Sequence, residues 1–233
     1  MKLLVSPLSV EEAIEALDGG ADIIDVKNPD EGSLGANFPW VIQSVKTAVG
    51  NKVPVSATIG DMEFKPGTAS LAALGAALAG ADYIKVGLFG VKNEEQAFRM
   101  MKKVSKAVKD YSPDKKVVAA GYADYTRINS VSPFVLPPVC EEADVDIVMV
   151  DTGIKDGKSS FEFMGEGGLS EFVELAHSFG LECALAGTLK FENVDALKRI
   201  KPDIVGVRGV VCGGDRKSSI KKELVKKFKE SLM

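Results

Sequence analysis

Two short apolar runs of the chain end in lysine-bearing tripeptides, Asp25-Val26-Lys27 and Lys85-Val86-Gly87. A third run ends in Asp151-Thr152-Gly153. Lysine is seldom fully buried without a partner. A lysine partly stripped of water beside another cation gives up its proton more easily and becomes a nucleophilic amine or a base. Asp25 and Lys27 are two residues apart, so in an extended strand they point to one face while Ile24 and Val26 point to the other. The same alternation separates Lys85 from Ile84 and Val86. If the apolar residues face a layer of helices, Asp25, Lys27 and Lys85 face the inside of a sheet. Mutual repulsion and burial are then expected to lower the pKa of both lysines. The competing reading is two lysines that reach out to solvent and only form salt bridges.

A second group of residues suits an anion. Gly187-Thr188 and Arg208-Gly209 follow two later runs, and Cys212-Gly213-Gly214-Asp215 comes just after. Glycines there leave backbone N–H groups open to a phosphate. Arg208 is expected to add a bidentate contact. Tight turns are the alternative explanation for such glycines. The polar segment from Asp151 to Ser160 carries Lys155 and reads equally as a mobile lid or a solvated loop.

These residues need elements to hold them. Eight candidate strands cover 3–5, 23–27, 53–58, 83–86, 117–120, 147–151, 183–186 and 204–208. Helix signals lie between them. Ser9-x-x-Glu12 has the form of a capping box, and Gly19-Gly20 closes that helix. A three-four spaced stripe through Trp40-Val41, Ser44-Val45 and Ala48-Val49 marks a second helix, Ser70 to Ala79 a third, and Lys217 to Leu232 a last one with a lysine-rich outer face. Gly165 to Gly168 reads as loop and helix entry, and His177 as a helix C-terminal residue stabilised by the dipole. The pattern of a small residue or proline, then Asp, then an apolar strand recurs at Ala21-Asp22, Ala81-Asp82 and Pro202-Asp203, with Val145-Asp146 as a variant, about every 60 residues. With one further strand in each interval, four double units make a single (β/α)8 TIM barrel over residues 1–233. In such a barrel the active site sits at the C-terminal strand ends, where the charged residues fall. An open doubly wound sheet would usually need fewer strands at this length.

Composition narrows the function. With 45% hydrophobic and 27% charged residues, the chain reads as an ordinary globular domain. A net charge of −4 argues against nucleic acid as a partner. No apolar run is long enough to be a signal peptide or a membrane span, so a cytoplasmic protein with no membrane partner is expected. Cys140, Cys183 and Cys212 form no CxxC pair, which fits a reduced compartment and packing roles. The single histidine, His177, leaves no set of His ligands for zinc and makes a Ser-His-Asp triad a poor fit, so no metal is expected. Assembly through outer helices into a homo-oligomer is expected, as is common for barrels.

One segment is specific enough to suggest a family. Asp25-Val-Lys27-Asn-Pro29-Asp-Glu-Gly32-Ser-Leu-Gly35-Ala-Asn37-Phe-Pro39 resembles the signature of the (5-formylfuran-3-yl)methyl phosphate synthases of methanofuran biosynthesis. The resemblance continues through Tyr83-Ile-Lys85-Val-Gly87, Val150-Asp151-Thr-Gly153 and Val207-Arg208-Gly209-Val-Val-Cys212, and spans essentially the whole chain. It implies a TIM barrel that condenses two molecules of glyceraldehyde 3-phosphate, with loss of phosphate and water and with no cofactor. It also implies that Lys27 forms the Schiff base and that Lys85, in its neutral form, accepts the proton. Two other readings share parts of the pattern. A class I aldolase acting on another sugar phosphate shares Lys27 and the glycine loops. A non-catalytic sugar-phosphate sensor needs only the loops.

Overall fold

A computed structural model describes residues 1–233. Its eight strands are β1 (Lys2–Val5), β2 (Ile23–Val26), β3 (Val55–Glu63), β4 (Tyr83–Gly90), β5 (Lys116–Tyr122), β6 (Ile147–Asp151), β7 (Glu182–Leu185) and β8 (Ile204–Val207). They alternate with α1 (Val10–Asp18), α2 (Pro39–Val49), α3 (Pro66–Leu78), α4 (Glu94–Tyr111), α5 (Leu136–Glu142), α6 (Ser160–Ser178), α7 (Val194–Ile200) and α8 (Lys222–Ser231). Each strand pairs in parallel with the next, and β8 closes on β1 with Lys2 opposite Ile204 and Val5 opposite Val207. The expected single (β/α)8 barrel is therefore the observed fold. No helix is long and apolar enough to cross a membrane.

Strand alternation divides the core into two shells. Leu3, Val5, Ile24, Val26, Ile84, Val86, Val148, Val150, Val205 and Val207 belong to the large cluster that includes the buried faces of the helices. Leu4, Ile23, Val118, Ala120, Tyr122, Ile147, Met149, Ala184, Ala186 and Ile204 form a separate cluster filling the lumen. Continuing the lumenal alternation toward the C-terminal ends leads to Ser6, Asp25, Lys27, Ser56, Thr58, Lys85, Asp151 and Arg208. All eight are buried, so the barrel carries a polar layer above an apolar floor.

Several boundaries differ from the sequence expectation. β3 and β4 run past the barrel as a two-stranded extension, with Glu63 opposite Gly90 and register shifts on both sides of Asp61. Gly60, Gly87 and Gly90 break the β-branched run there, which hid the extension from a propensity reading. Pro54 precedes β3 and supplies a carbonyl to Ile24 N–H. α3 starts four residues before the expected Ser70, with Pro66 in its first turn, where a proline N–H is not needed. α8 starts at Lys222, because Lys221 N–H is bonded to the Val211 carbonyl and the Ser218 carbonyl to Arg208. The expected loop and helix entry at Gly165 lies within the α6 span, as a kink at φ 67°.

Candidate active site

The polar layer opens into a cavity of about 270 Å³ at the C-terminal strand ends. Of the residues singled out by sequence, Lys27, Lys85, Asp151, Lys155, Gly187, Thr188, Arg208, Gly209 and Gly214 line it. Asp25 and Gly213 do not. Asp25 lies beneath the lining, and Gly213 turns the chain at φ 82°, with its N–H on the Gly209 carbonyl.

The two lysines meet different surroundings. Lys85 Nζ lies 2.7 Å from Asp25 Oδ2, and both side chains are almost fully enclosed. Asp25 also accepts from Ser6 Oγ at 2.9 Å and Ser56 Oγ at 2.7 Å. Burial pushes the Asp25 carboxyl up, but Lys85, Lys27 and these hydrogen bonds outweigh it and hold it below the usual range. The Asp25 carboxylate, held by two hydroxyls besides, thus fixes the position of Lys85 Nζ at the base of the site. Lys27 has no carboxylate within ion-pairing distance and faces the cavity. Burial lowers its pKa to about 7, with Lys155 and Lys85 adding to the effect and Asp151 and Asp25 opposing it. A lysine at that value is roughly half neutral at pH 7, against roughly one part in several thousand for a free side chain.

The loop after β6 is folded back. Lys155 Nζ lies 2.5 Å from Asp151 Oδ1 and 3.0 Å from Thr152 Oγ1, and Arg127 pairs with Asp156 at 2.8 Å. Burial raises the Asp151 carboxyl, but Lys155 and Lys27 overcome this and bring it to about 2. Backbone amides of Gly153 and Ile154 anchor the loop on buried Asp124. Past β7, Gly187 (φ 94°) and Thr188 (φ 53°) are both left-handed, a conformation that a threonine adopts only under constraint. Their N–H groups donate to no protein acceptor.

Arg208 differs from expectation. Its Nη1 donates to Glu12 Oε2 at 2.7 Å and to the Ser6 carbonyl at 2.6 Å, and its Nε to the Arg216 carbonyl at 2.6 Å. Glu12 is correspondingly drawn away from a full capping box. Ser9 Oγ accepts from Glu12 N–H, but the Glu12 carboxylate takes Leu8 N–H and Arg208 in place of Ser9 N–H.

Sequence reasoning missed four further contributors. Ser6 and Ser56 could have been found by carrying the strand alternation one step further. Asp61 accepts from Ser33 N–H at 2.7 Å, from Leu34 N–H and from Tyr122 Oη. It thereby fixes the loop after β2, whose Leu34 is fully buried among the lumenal residues. Arg216 lines the cavity, and nothing in the local sequence marked it. Elsewhere, His177 Nε2 lies 2.9 Å from Asp203 Oδ2, more than the dipole contact expected. All three cysteines are buried and unpaired, and burial raises each thiol, that of Cys212 to about 11. They are packing residues, as expected.

Solved structures resembling this one are α/β barrels. They include KGPDC from Streptococcus mutans (TM-score 0.69, 15% identity, 99% of this chain and 96% of that one). Another is 3-hexulose-6-phosphate synthase from Salmonella typhimurium (TM-score 0.66, 20% identity, 100% and 98%). At such identities the likeness establishes the fold alone. Sequence relatives are much nearer. The (5-formylfuran-3-yl)methyl phosphate synthase of Methanosarcina mazei is 67% identical over 98% of this chain and 97% of its own. Those of Archaeoglobus fulgidus and Methanocaldococcus jannaschii are 62% and 59% identical over at least 99% of both chains. The model of the 4-HFC-P synthase family matches residues 3–229. With its fold, its strand-end lysines and this full-length match, the chain belongs to the 4-HFC-P synthase family.

Proposed function

We propose that this protein condenses two molecules of glyceraldehyde 3-phosphate into (5-formylfuran-3-yl)methyl phosphate, acting as a carbon–oxygen lyase in methanofuran biosynthesis. The balance closes with release of one phosphate and two waters, and no oxidant or reductant enters it. The observation that carries the reading is the buried Lys27 amine, open to the cavity, free of an ion pair and titrating near pH 7.

Neutral Lys27 Nζ adds to the aldehyde carbon of the first triose. The resulting carbinolamine must lose its hydroxyl as water, which needs a proton. Lys85 Nζ donates it, which leaves a protonated imine at Lys27 and a free amine at Lys85. The imine draws electrons from the neighbouring carbon, and neutral Lys85 removes the proton there to give an enamine. Lys85 thus acts as acid before it acts as base, while Asp25 holds it in place through both steps. The enamine expels phosphate from the next carbon or attacks the second aldehyde. Ring closure, loss of water and hydrolysis of the imine free Lys27. Asp151 and Lys155 border Lys27 and keep a charge-balanced polar wall. The unpaired N–H groups of Gly187 and Thr188, with Gly209 and Gly214 beside them, supply a cradle for a substrate phosphate.

The homo-oligomer expected from sequence has a candidate surface. From Pro66 to Ala81 no residue is charged, and Leu71, Leu78 and, on neighbouring α2, Trp40 are 75%, 59% and 64% exposed. The charge-free surface of α3, with exposed Trp40 of α2 beside it, suits a second copy of itself. Leu71→Asp is expected to lower the sedimentation coefficient if this face joins subunits, and an unchanged value removes the face from consideration.

Purified protein given glyceraldehyde 3-phosphate alone is expected to produce a furan chromophore and inorganic phosphate in equal amounts. Aldol products without a furan would favour the aldolase reading, and binding without turnover the sensor.

A further inference from the structure

The two arginines at the mouth have opposite environments. Arg208 is spent on the protein: besides the contacts above, its Nη2 reaches Glu12 Oε1 at 3.3 Å and the Ser218 carbonyl at 3.4 Å, and its side chain is 3% exposed. Arg216 borders the cavity with Gly187, Thr188 and Gly209. Its one side-chain hydrogen bond is a long one, from Nη2 to the Gly32 carbonyl at 3.3 Å, and no carboxylate lies within ion-pairing distance. Burial works against its charged form, and distant Asp151 only partly offsets this. A partly desolvated guanidinium with two nitrogens uncommitted calls for an anion.

Resting on the sugar-phosphate reading above, we propose that Arg216 is the guanidinium that grips a substrate phosphate, and that the buried Glu12–Arg208 pair is its mount. Two of the Arg208 nitrogens hold the carbonyls of Arg216 and Ser218. They therefore fix the path of the turn that carries Arg216 between Gly214 (φ 103°) and the start of α8. Glu12 in turn fixes Arg208. The phosphate then lies between Arg216 and the free N–H groups of Gly187 and Thr188, and a bidentate contact replaces the weak tether to Gly32. Arg216 touches the substrate, whereas Glu12 and Arg208 act through it as positioning residues.

The test is calorimetric titration with inorganic phosphate, which needs no turnover. Arg216→Ala is expected to weaken phosphate binding about 10- to 100-fold, the range of a lost charge-assisted contact. It is also expected to raise KM for glyceraldehyde 3-phosphate similarly, with a much smaller fall in kcat. Arg216→Lys should recover part of the loss. Glu12→Gln should weaken phosphate binding in the wild-type background but add nothing in the Arg216→Ala background, a coupling that simple loss of stability does not produce. Unchanged phosphate affinity in folded Arg216→Ala, or no phosphate binding by the wild-type protein, would overturn the grip. An equal effect of Glu12→Gln in both backgrounds would overturn the mount. Weakened phosphate binding without any furan production would leave this proposal standing and sink the proposed reaction instead.

Discussion

Lys27 and Lys85 stand on neighbouring lumenal positions, yet what faces each gives it a separate task. Lys85 is held in the Asp25 pair, and Lys27 is left to burial with no close carboxylate. Lys85→Gln is therefore expected to fold, to bind substrate and to form some imine at Lys27, while furan formation falls on the order of 100-fold or more. A folded variant with near-normal furan formation would remove Lys85 from the proton transfer. Lys27 also links pH to stability. Its folded pKa is lowered to about 7 from an ordinary 10.5, so in this interval the unfolded chain binds more protons. Stability due to Lys27 therefore rises with pH between these values, and below about pH 7 the full burial penalty applies. Lys27→Met should raise the melting temperature at pH 6, with the gain shrinking toward pH 10; a constant gain would contradict the lowered pKa. At this scale the sequence was legible where strand alternation and strand ends apply: alternation placed Asp25, Lys27 and Lys85 in the lumen, and its position at a strand end singled out Asp151. Arg208 was placed correctly at the mouth but given the wrong contact, because where a long side chain ends depends on the path of the loop opposite it.

The segment after β2 explains why its residues form a signature. Gly32 adopts φ 137°, and a Cβ there would lie 2.3 Å from Asp61 Oδ2; a Cβ at Gly35 would lie 2.1 Å from the Asn28 carbonyl. Both glycines let the chain fold down so that Leu34 enters the lumen, where Thr58 Oγ1 donates to its carbonyl and Ser33 Oγ donates to the Thr152 carbonyl. The loop thus closes one side of the mouth and leaves the cavity beside Lys27. Gly35→Ala is expected to cost about 1–3 kcal/mol, seen as a lower urea midpoint, because backbone atoms must move to admit the methyl group. It should also reduce furan formation beyond what the loss of folded protein accounts for. A variant as stable and active as wild type would show that the plug yields freely. None of this was legible from the sequence. The motif identified a family, but the physical need for Gly32 appears only once Asp61, on the unforeseen extension of β3, is set against it, and that for Gly35 only once the loop is seen folded back on Asn28 and Glu31.

On the scale of the whole molecule, the barrel was readable because its repeat is chemical as well as periodic. Asp22, Asp82, Asp146 and Asp203 each sit just before a strand, and each accepts a backbone N–H of the preceding strand or its first residue: Leu3, Val55, Val117 and Cys183. Four identical clasps tie the bottom of the barrel, so the pattern of an Asp before an apolar strand is a folding device and not a coincidence of spacing. The opposite end holds the candidate site, and there the chain follows no repeat: each loop is individual, and its contacts had to be seen. The central claim joins the two ends, since a closed barrel buries Lys27 at a strand terminus and burial makes it a nucleophile near neutral pH. Borohydride reduction in the presence of glyceraldehyde 3-phosphate, followed by peptide mass analysis, tests that claim most directly. The account predicts a reduced triose adduct on Lys27 that disappears in Lys27→Arg. An adduct that persists unchanged in the variant, or one that maps to Lys155, would contradict it.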